Sequence, residues 1–208
     1  MSENKQLTNE ELSKRDYIIM IDKSGSMSTP HKSGRSRWKY CQENVENLAR
    51  KCGEFDSDGI DVVVFASGDR TYNNVTPEKV HQIFTENEPG GSTNTAGALG
   101  KVLDGYFARK TAGSAKPITI IVATDGIPDD QKAVAKVIKD ATLKMDADEE
   151  IGISFIQVGD DSSARTFLKS LDDDLESEGA KFDIVDTRDE AEMDNMTMTD
   201  VLLAAVGD

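Results

Sequence analysis

Histidine, cysteine and tryptophan are scarce in this chain of 208 residues, which holds two, two and one of them. So few imidazoles and thiols leave little from which to build a zinc or copper site, and two cysteines make no disulfide framework. Cys41 and Cys52 fall on one expected helix, about 16 Å apart along its axis against the roughly 7 Å between Cα atoms that a disulfide tolerates. They are expected as reduced core residues. Long apolar runs are missing too: no segment approaches the roughly 18 to 20 residues that span a bilayer. The start, MSENKQLTNEELSKRD, is polar and acidic where a signal peptide is basic and then apolar, so a cytoplasmic location is the expectation. Positive charge is also short, with 24 Lys and Arg against 39 Asp and Glu and a formal net charge of -15. That balance repels phosphate backbones and anionic lipid, which argues against binding nucleic acid or a membrane surface. The excess acid sits late, in MDADEE, GDD and LDDDLESEG. These runs lack the alternating Asp/Asn and glycine spacing of a calcium loop and read as a solvated face.

What is present fits one domain. The length suits a single core, and neither a repeat period nor a long linker divides it. A polar tail over 1–15 is expected ahead of a domain over 16–208. Apolar runs alternate with helical patterns along the chain, the signature of an α/β fold: a doubly wound, mostly parallel sheet with helices on both faces. Strands are expected over 17–21, 60–66, 118–123, 151–158 and 182–185, with a weaker one over 71–75. YIIMI and ITIIVA are continuously apolar, as central strands are when both faces are buried. Trp38, Cys41, Val45, Leu48 and Cys52 repeat at helical spacing over 36–52. Val134, Val137, Ile138, Ala141 and Met145 form a second stripe, with Pro128 expected at a first helical position. A third comprises Ala164, Phe167, Leu168, Leu171 and Leu175, capped by Ser162 or Ser163. The fourth, Leu99, Val102, Leu103 and Tyr106, lies on a helix carrying Gly97, Gly100 and Gly105. Each glycine costs about 1 kcal/mol of helix propensity relative to alanine, and close helix-to-sheet packing is the expected reason for them.

Two strands run into an aspartate followed by a small-residue loop: YIIMI into Asp22 of IDKSGSMS, and ITIIVAT into Asp125-Gly126. In an open α/β sheet, ligands gather beyond the carboxyl ends of the strands, where the strand order reverses. If these strands are neighbours there, Asp22 and Asp125 face one crevice, and the loop PGGSTNTAG can bring Thr93 to it. Carboxylates and hydroxyls are hard oxygen donors, suited to Mg²⁺, Mn²⁺ or Ca²⁺. A loop that turns Asp22, Ser24 and Ser26 towards one ion, with Gly25 permitting the turn, explains the alternate spacing. Two carboxylates and neutral hydroxyls leave such an ion open to another acid, which a partner can supply.

Asp22-x-Ser24-x-Ser26, Thr93 in GGSTNT and Asp125 in ATDG together resemble the metal-ion-dependent adhesion site of von Willebrand factor type A domains, and the order of elements extends the resemblance over about 16–206. The resemblance implies a six-stranded sheet in the order 3-2-1-4-5-6 with strand 3 antiparallel at the edge. It implies that Ser24 and Ser26 are direct ligands, that Thr93 is a direct or water-mediated one, and that Asp22 and Asp125 act mostly through water. It also implies a partner that offers Glu or Asp to the ion, and a last helix, over 199–206, that can shift when the site rearranges. Without signal peptide or disulfide, the chain is most similar to small bacterial members of the family, including those of tellurium-resistance clusters and those that work beside AAA-type chaperones.

An enzyme is the rival reading. A strand-terminal aspartate serves phosphoryl transfer in haloacid-dehalogenase-like folds, but those enzymes want a second acid two residues on, and position 24 is Ser. Neither a G-x-x-x-x-G-K-[ST] phosphate loop nor a G-x-S-x-G nucleophile elbow is present. His31 and His81 read as ordinary solvated residues. A binding module is therefore expected over a Mg²⁺- or Mn²⁺-dependent phosphoryl-transfer enzyme or hydrolase using Asp22. The basic island HKSGRSRWK reads either as a solvated loop or as a pair, Lys32 and Arg35, that flanks the metal and draws in an acidic partner segment.

Overall fold

The run YIIMI becomes β1 (Asp16–Asp22), and its residues divide strictly by alternation. Ile18 and Met20 enter one apolar cluster, and Tyr17, Ile19 and Ile21 the other. A strand buried on both faces needs apolar residues at every position, which is why the run is continuous. In the computed structural model, which describes residues 9–56, 59–193 and 195–205, β1 is followed by α2 (Arg37–Phe55), β2 (Ile60–Phe65) and β3 (Asp69–Val75), and preceded by α1 (Asn9–Leu12). Then come α3 (Pro77–Glu86), α4 (Thr95–Thr111), β4 (Ile118–Thr124), α5 (Gln131–Thr142), β5 (Ile151–Gln157), α6 (Ser162–Asp173), β6 (Val185–Arg188), α7 (Glu190–Met193) and α8 (Met198–Ala204).

The six strands lie in the order β3-β2-β1-β4-β5-β6. Only the β2–β3 pairing is antiparallel; the other four are parallel. Because β2 lies on one side of β1 and β4 on the other, the winding reverses at β1 and β4, and a crevice opens beyond their carboxyl ends. One face of the sheet is covered by α4, α5 and α6, through Leu99, Leu103, Ile138, Phe167 and Leu171. The other is covered by α1, α2, α3 and α8, through Leu12, Val45, Leu48, Ile83 and Leu202. Cys41 and Cys52 are buried free thiols on α2, and their burial pushes both thiols well above the ordinary range.

Several local expectations are corrected. The last strand is shifted from 182–185 to Val185–Arg188, because an edge strand tolerates polar residues. Asp186 pairs with Arg188 at 2.7 Å, and Asp172 accepts from both the N–H and the hydroxyl of Thr187. Helix α5 starts after Asp130, whose carboxylate caps it by accepting the Ala133 N–H, so Pro128 lies ahead of the helix. Helix α6 is capped by Asp161 and not by Ser162 or Ser163; a carboxylate adds charge–dipole attraction to the capping bond. The glycines of α4 do not serve helix-to-sheet contact: an added Cβ would meet the Asn94 cap at Gly97, Val137 of α5 at Gly100 and Arg109 at Gly105. The tail expected over 1–15 is packed in part of its described length, since Leu12 is fully buried and Arg15 is 4 % exposed.

Candidate metal centre

Parallel pairing of β1 with β4 sets Ile21 beside Ala123, so the next residues, Asp22 and Thr124, leave the sheet side by side. Asp22 is fully buried. One of its oxygens, Oδ1, accepts the Ser24 N–H at 2.7 Å and the other accepts the Thr124 hydroxyl at 2.7 Å. Ser24 Oγ lies 3.1 Å from Ser26 Oγ, and the Ser26 hydroxyl donates to Asp125 Oδ1 at 2.7 Å. Hydrogen bonds thus join Thr124, Asp22, Ser24, Ser26 and Asp125 in one run, the link from Asp22 to Ser24 passing through the Ser24 main-chain N–H. Ser24 is buried but Ser26 is exposed, so the run reaches solvent at one end.

Burial pushes the Asp22 carboxyl up to about 6, against the lowering effect of its bonds from Thr124 and Ser24 and with Asp125 adding repulsion. A carboxylate withdrawn from water in this way is one that a nearby dication would relieve.

The loop that carries the serines is held by backbone bonds. Gly25 opens a 3-10 turn (Gly25–Ser28) whose Met27 is fully buried. The glycine that this place requires is Gly91 and not Gly25. Gly91 has φ +88, and a Cβ on it would come within 2.7 Å of Ser67 Oγ, whereas Gly25 has a negative φ and an ordinary 3.7 Å contact with the Gly91 carbonyl. Gly25 donates its N–H to that carbonyl at 3.1 Å and Gly90 donates to Lys23 O at 2.7 Å, which ties the PGGSTNTAG loop against the serine loop. Thr93, 8 % exposed, is clasped to Asp129: its N–H donates to the Asp129 carboxylate, and its carbonyl accepts the Asp129 N–H, each at 2.9 Å. Its hydroxyl stands outside the bonded run of the other four.

The basic island follows a different path from the one expected. Pro30 and Ser36 pair as an isolated antiparallel bridge, and the Arg37 N–H donates to Thr29 O at 2.9 Å. This hairpin turns Arg37, not Lys32 or Arg35, towards the site. Arg37 Nη1 donates to Asp125 Oδ2 at 2.8 Å. Lys32 instead pairs with the buried Glu190 at 2.7 Å, and Arg35 pairs with Glu43 on α2. Nor is His31 a solvated residue: it is 7 % exposed, stacks on Tyr40 at 4.0 Å, and places Nε2 2.8 Å from Glu190. Burial raises the Glu190 carboxyl, but bonds from Lys32, the Gly159 N–H and His31 outweigh it and bring the group below the ordinary range. His81 is exposed, near Gln42 and Glu46. Thr124, Asp129, Arg37 and Glu190 are the members of this region that the sequence pattern did not single out.

The donors fit a hard dication in type: two carboxylates, three hydroxyls and open solvent. Among the described residues no three His, Cys, Asp or Glu side chains gather as a metal cluster, so hydroxyls and water must complete any such shell, as suits Mg²⁺ or Mn²⁺. Both carboxylates are constrained, because each oxygen of Asp22 and of Asp125 already has a hydrogen-bond partner. Among the described residues no helix is long and apolar enough to cross a membrane.

A family model described as the vWA found in the TerF C terminus matches residues 15–206. No curated protein matches. Solved structures do: the PilB minor pilin of Streptococcus sanguinis is similar with a TM-score of 0.64 at 15 % identity, over 90 % of this chain and 60 % of that one. The manganese-loaded TRAP protein of Plasmodium vivax is similar with a TM-score of 0.60 at 15 % identity, over 93 % of this chain and 75 % of that one. The ArnB paralog VWA2 of Sulfolobus acidocaldarius has a TM-score of 0.50 at 19 % identity, over 89 % of this chain and 44 % of that one. This chain therefore spans less than two thirds of the PilB and VWA2 chains, and at these identities the likeness is one of fold.

Proposed function

The chain belongs to the vWA-TerF-like family, whose domains are commonly interaction modules, and on that premise we propose that it is a divalent-metal-dependent protein-binding module. The ion is Mg²⁺ or Mn²⁺, with Ca²⁺ the alternative, and the partner supplies a Glu or Asp to it. Ser24 and Ser26 hold the ion directly, Asp22 and Asp125 balance its charge through water, and Thr93 completes the set. The observation that carries this reading is the hydrogen-bonded run from Asp22, through the Ser24 main-chain N–H and the Ser24 and Ser26 hydroxyls, to Asp125, buried at one end and open at the other. When bound, the ion supplies an electrophilic position for one more carboxylate. Ile127, two residues past Asp125 and 40 % exposed, gives the rim an apolar contact for the residue beside that carboxylate. A bacterial stress-response or chaperone-associated complex is the proposed setting, in the cytoplasm.

Phosphoryl transfer on Asp22 is less well supported. A nucleophilic carboxylate needs an oxygen open to substrate, and both oxygens of Asp22 accept hydrogen bonds in a fully buried position. The test is affinity capture from the native organism with and without EDTA, comparing wild type with Asp22→Ala. A partner retained only by metal-loaded wild type is the expected result. Metal-dependent phosphatase turnover that Asp22→Asn abolishes would replace this reading with the enzymatic one.

A further inference from the structure

Thr93 is the member of the proposed ligand set whose hydroxyl takes no part in the hydrogen-bonded run, so its place depends on how its main chain is held. On one side the loop that carries it is tied to the ends of β1 and β2. Gly90 donates to Lys23 O at 2.7 Å, Gly25 to Gly91 O at 3.1 Å, the Ser92 N–H to Ser67 Oγ at 3.0 Å and the Asn94 N–H to Ala66 O at 3.0 Å. From the β4 side, among the described residues, the hydrogen bonds to this loop come from Asp129 alone. Its Oδ1 accepts the Thr93 N–H and its own N–H donates to Thr93 O, each at 2.9 Å. This reciprocal pair closes a ring between two loops that lie 36 residues apart in sequence.

Asp129 is mounted firmly on both flanks. Pro128 before it is buried and has a fixed φ, and Asp130 after it caps α5 by accepting the Ala133 N–H at 2.9 Å. The Asp129 side chain is exposed, yet a bond from an N–H to an ionised acceptor is charge-assisted and stronger than a neutral one. Because Asp125 opens the same loop, the clasp also fixes where Thr93 stands relative to Asp125. We propose that Asp129 is a positioning residue of the metal centre: it holds the main chain of Thr93 so that the threonine hydroxyl faces the ion, and it is not itself a ligand. The inference rests on the metal-binding reading above. A peptide ordered before the ion arrives need not lose conformational freedom when the ion binds. Such a clasp needs only an oxygen acceptor at this place, whereas a third carboxylate that drew the dication by charge would need its negative charge.

The test is calorimetric titration of EDTA-treated full chain with Mg²⁺ and with Mn²⁺. Wild type is compared with Asp129→Ala, Asp129→Asn, Thr93→Ala and the double variant Thr93→Ala/Asp129→Ala, and circular-dichroism melting in EDTA certifies each fold. Asp129→Ala removes the side-chain acceptor and should weaken the ion about tenfold, the scale on which outer partners of metal ligands act. Asp129→Asn keeps an oxygen in place and should restore affinity to within about threefold of wild type. On the Thr93→Ala background the alanine at 129 should cost less than about twofold more, because a residue that acts through Thr93 then has nothing to position. Affinity within about twofold of wild type in folded Asp129→Ala overturns the positioning role and leaves the metal site standing. So does Asp129→Asn that binds as weakly as Asp129→Ala, which assigns the effect to charge, and so does an undiminished loss in the double variant, which assigns it to the fold. Absence of binding by wild type for both ions overturns the role and the metal-binding reading together.

Discussion

Two arginines at opposite ends of the sheet, Arg15 buried and Arg37 partly exposed, show how the same side chain serves different ends. Arg15, ahead of β1, gives Nε to the Thr119 hydroxyl at 2.8 Å, Nη1 to Glu149 O at 2.5 Å and Nη2 to Ile118 O at 2.6 Å. These acceptors are all neutral, three donor nitrogens are matched, and the group fastens the start of β4 to the turn before β5. Arg37, at the carboxyl ends of the strands, meets a carboxylate with one nitrogen, and its Nε finds no hydrogen-bond partner among the described residues. A guanidinium that satisfies main-chain oxygens is a fastener. One that sits on an acid beside open hydroxyls competes with, or tunes, whatever cation that acid serves.

The largest effect expected is at the fastener. Arg15→Met strands two carbonyls and a hydroxyl in the interior and should cost about 3 kcal/mol or more, a fall in melting temperature of roughly 2 to 4 °C for each kcal/mol. The loss should be equal in EDTA and in saturating Mg²⁺. Melting curves in both conditions check it.

Next in size is Asp22. Because its folded carboxyl is raised to about 6, the folded chain takes up that proton more readily than the unfolded one. The stability linked to it is full below the ordinary aspartate range and is lost as pH rises through about 6. At pH 7.5 without metal, Asp22→Asn should therefore be more stable than wild type by about 2 to 3 kcal/mol, and the advantage should vanish near pH 4. Urea titrations across that window in EDTA decide the sign.

Arg37→Gln sharpens the comparison from the other side. In EDTA it leaves the buried Asp125 without its cation and should lose about 1 to 2 kcal/mol. Added Mg²⁺ should restore much of that, since the dication takes over the compensation, and no such rescue is expected for Arg15→Met. Arg35→Ala should do least: its pair with Glu43 is half exposed on both sides, so stability should change by no more than about 0.5 kcal/mol, with metal affinity unmoved.

The sheet is legible in the sequence, and so is the gathering of Asp22, Ser24, Ser26 and Asp125 into one candidate site, because both rest on local pattern. Continuous apolarity marked β1 and β4, helical spacing marked α2, α5 and α6, and strand-terminal aspartates marked the crevice. What the sequence hid depends on the path of the chain. Four cations, Lys32, Arg35, Arg37 and Lys39, lie within residues 31–39, and the bridge from Pro30 to Ser36 decides that Arg37 reaches Asp125 while Lys32 turns to Glu190. His31 looks solvated beside Lys32 and Ser33, yet Glu190, far away in sequence, buries it. The last strand was displaced because apolarity ends at Val185, while pairing with β5 continues to Arg188.

The most direct measurement is the titration of EDTA-treated chain with Mg²⁺ or Mn²⁺ for wild type, Thr93→Ala, Ser26→Ala and Asp125→Ala. The account predicts one ion per chain in wild type, weaker binding in the Thr93 and Ser26 variants, and a loss of about 100-fold or more in Asp125→Ala with the fold intact, since that change removes both an oxygen and half of the protein's charge compensation. Wild type that binds no ion, or Asp125→Ala that binds as tightly as wild type, would contradict it.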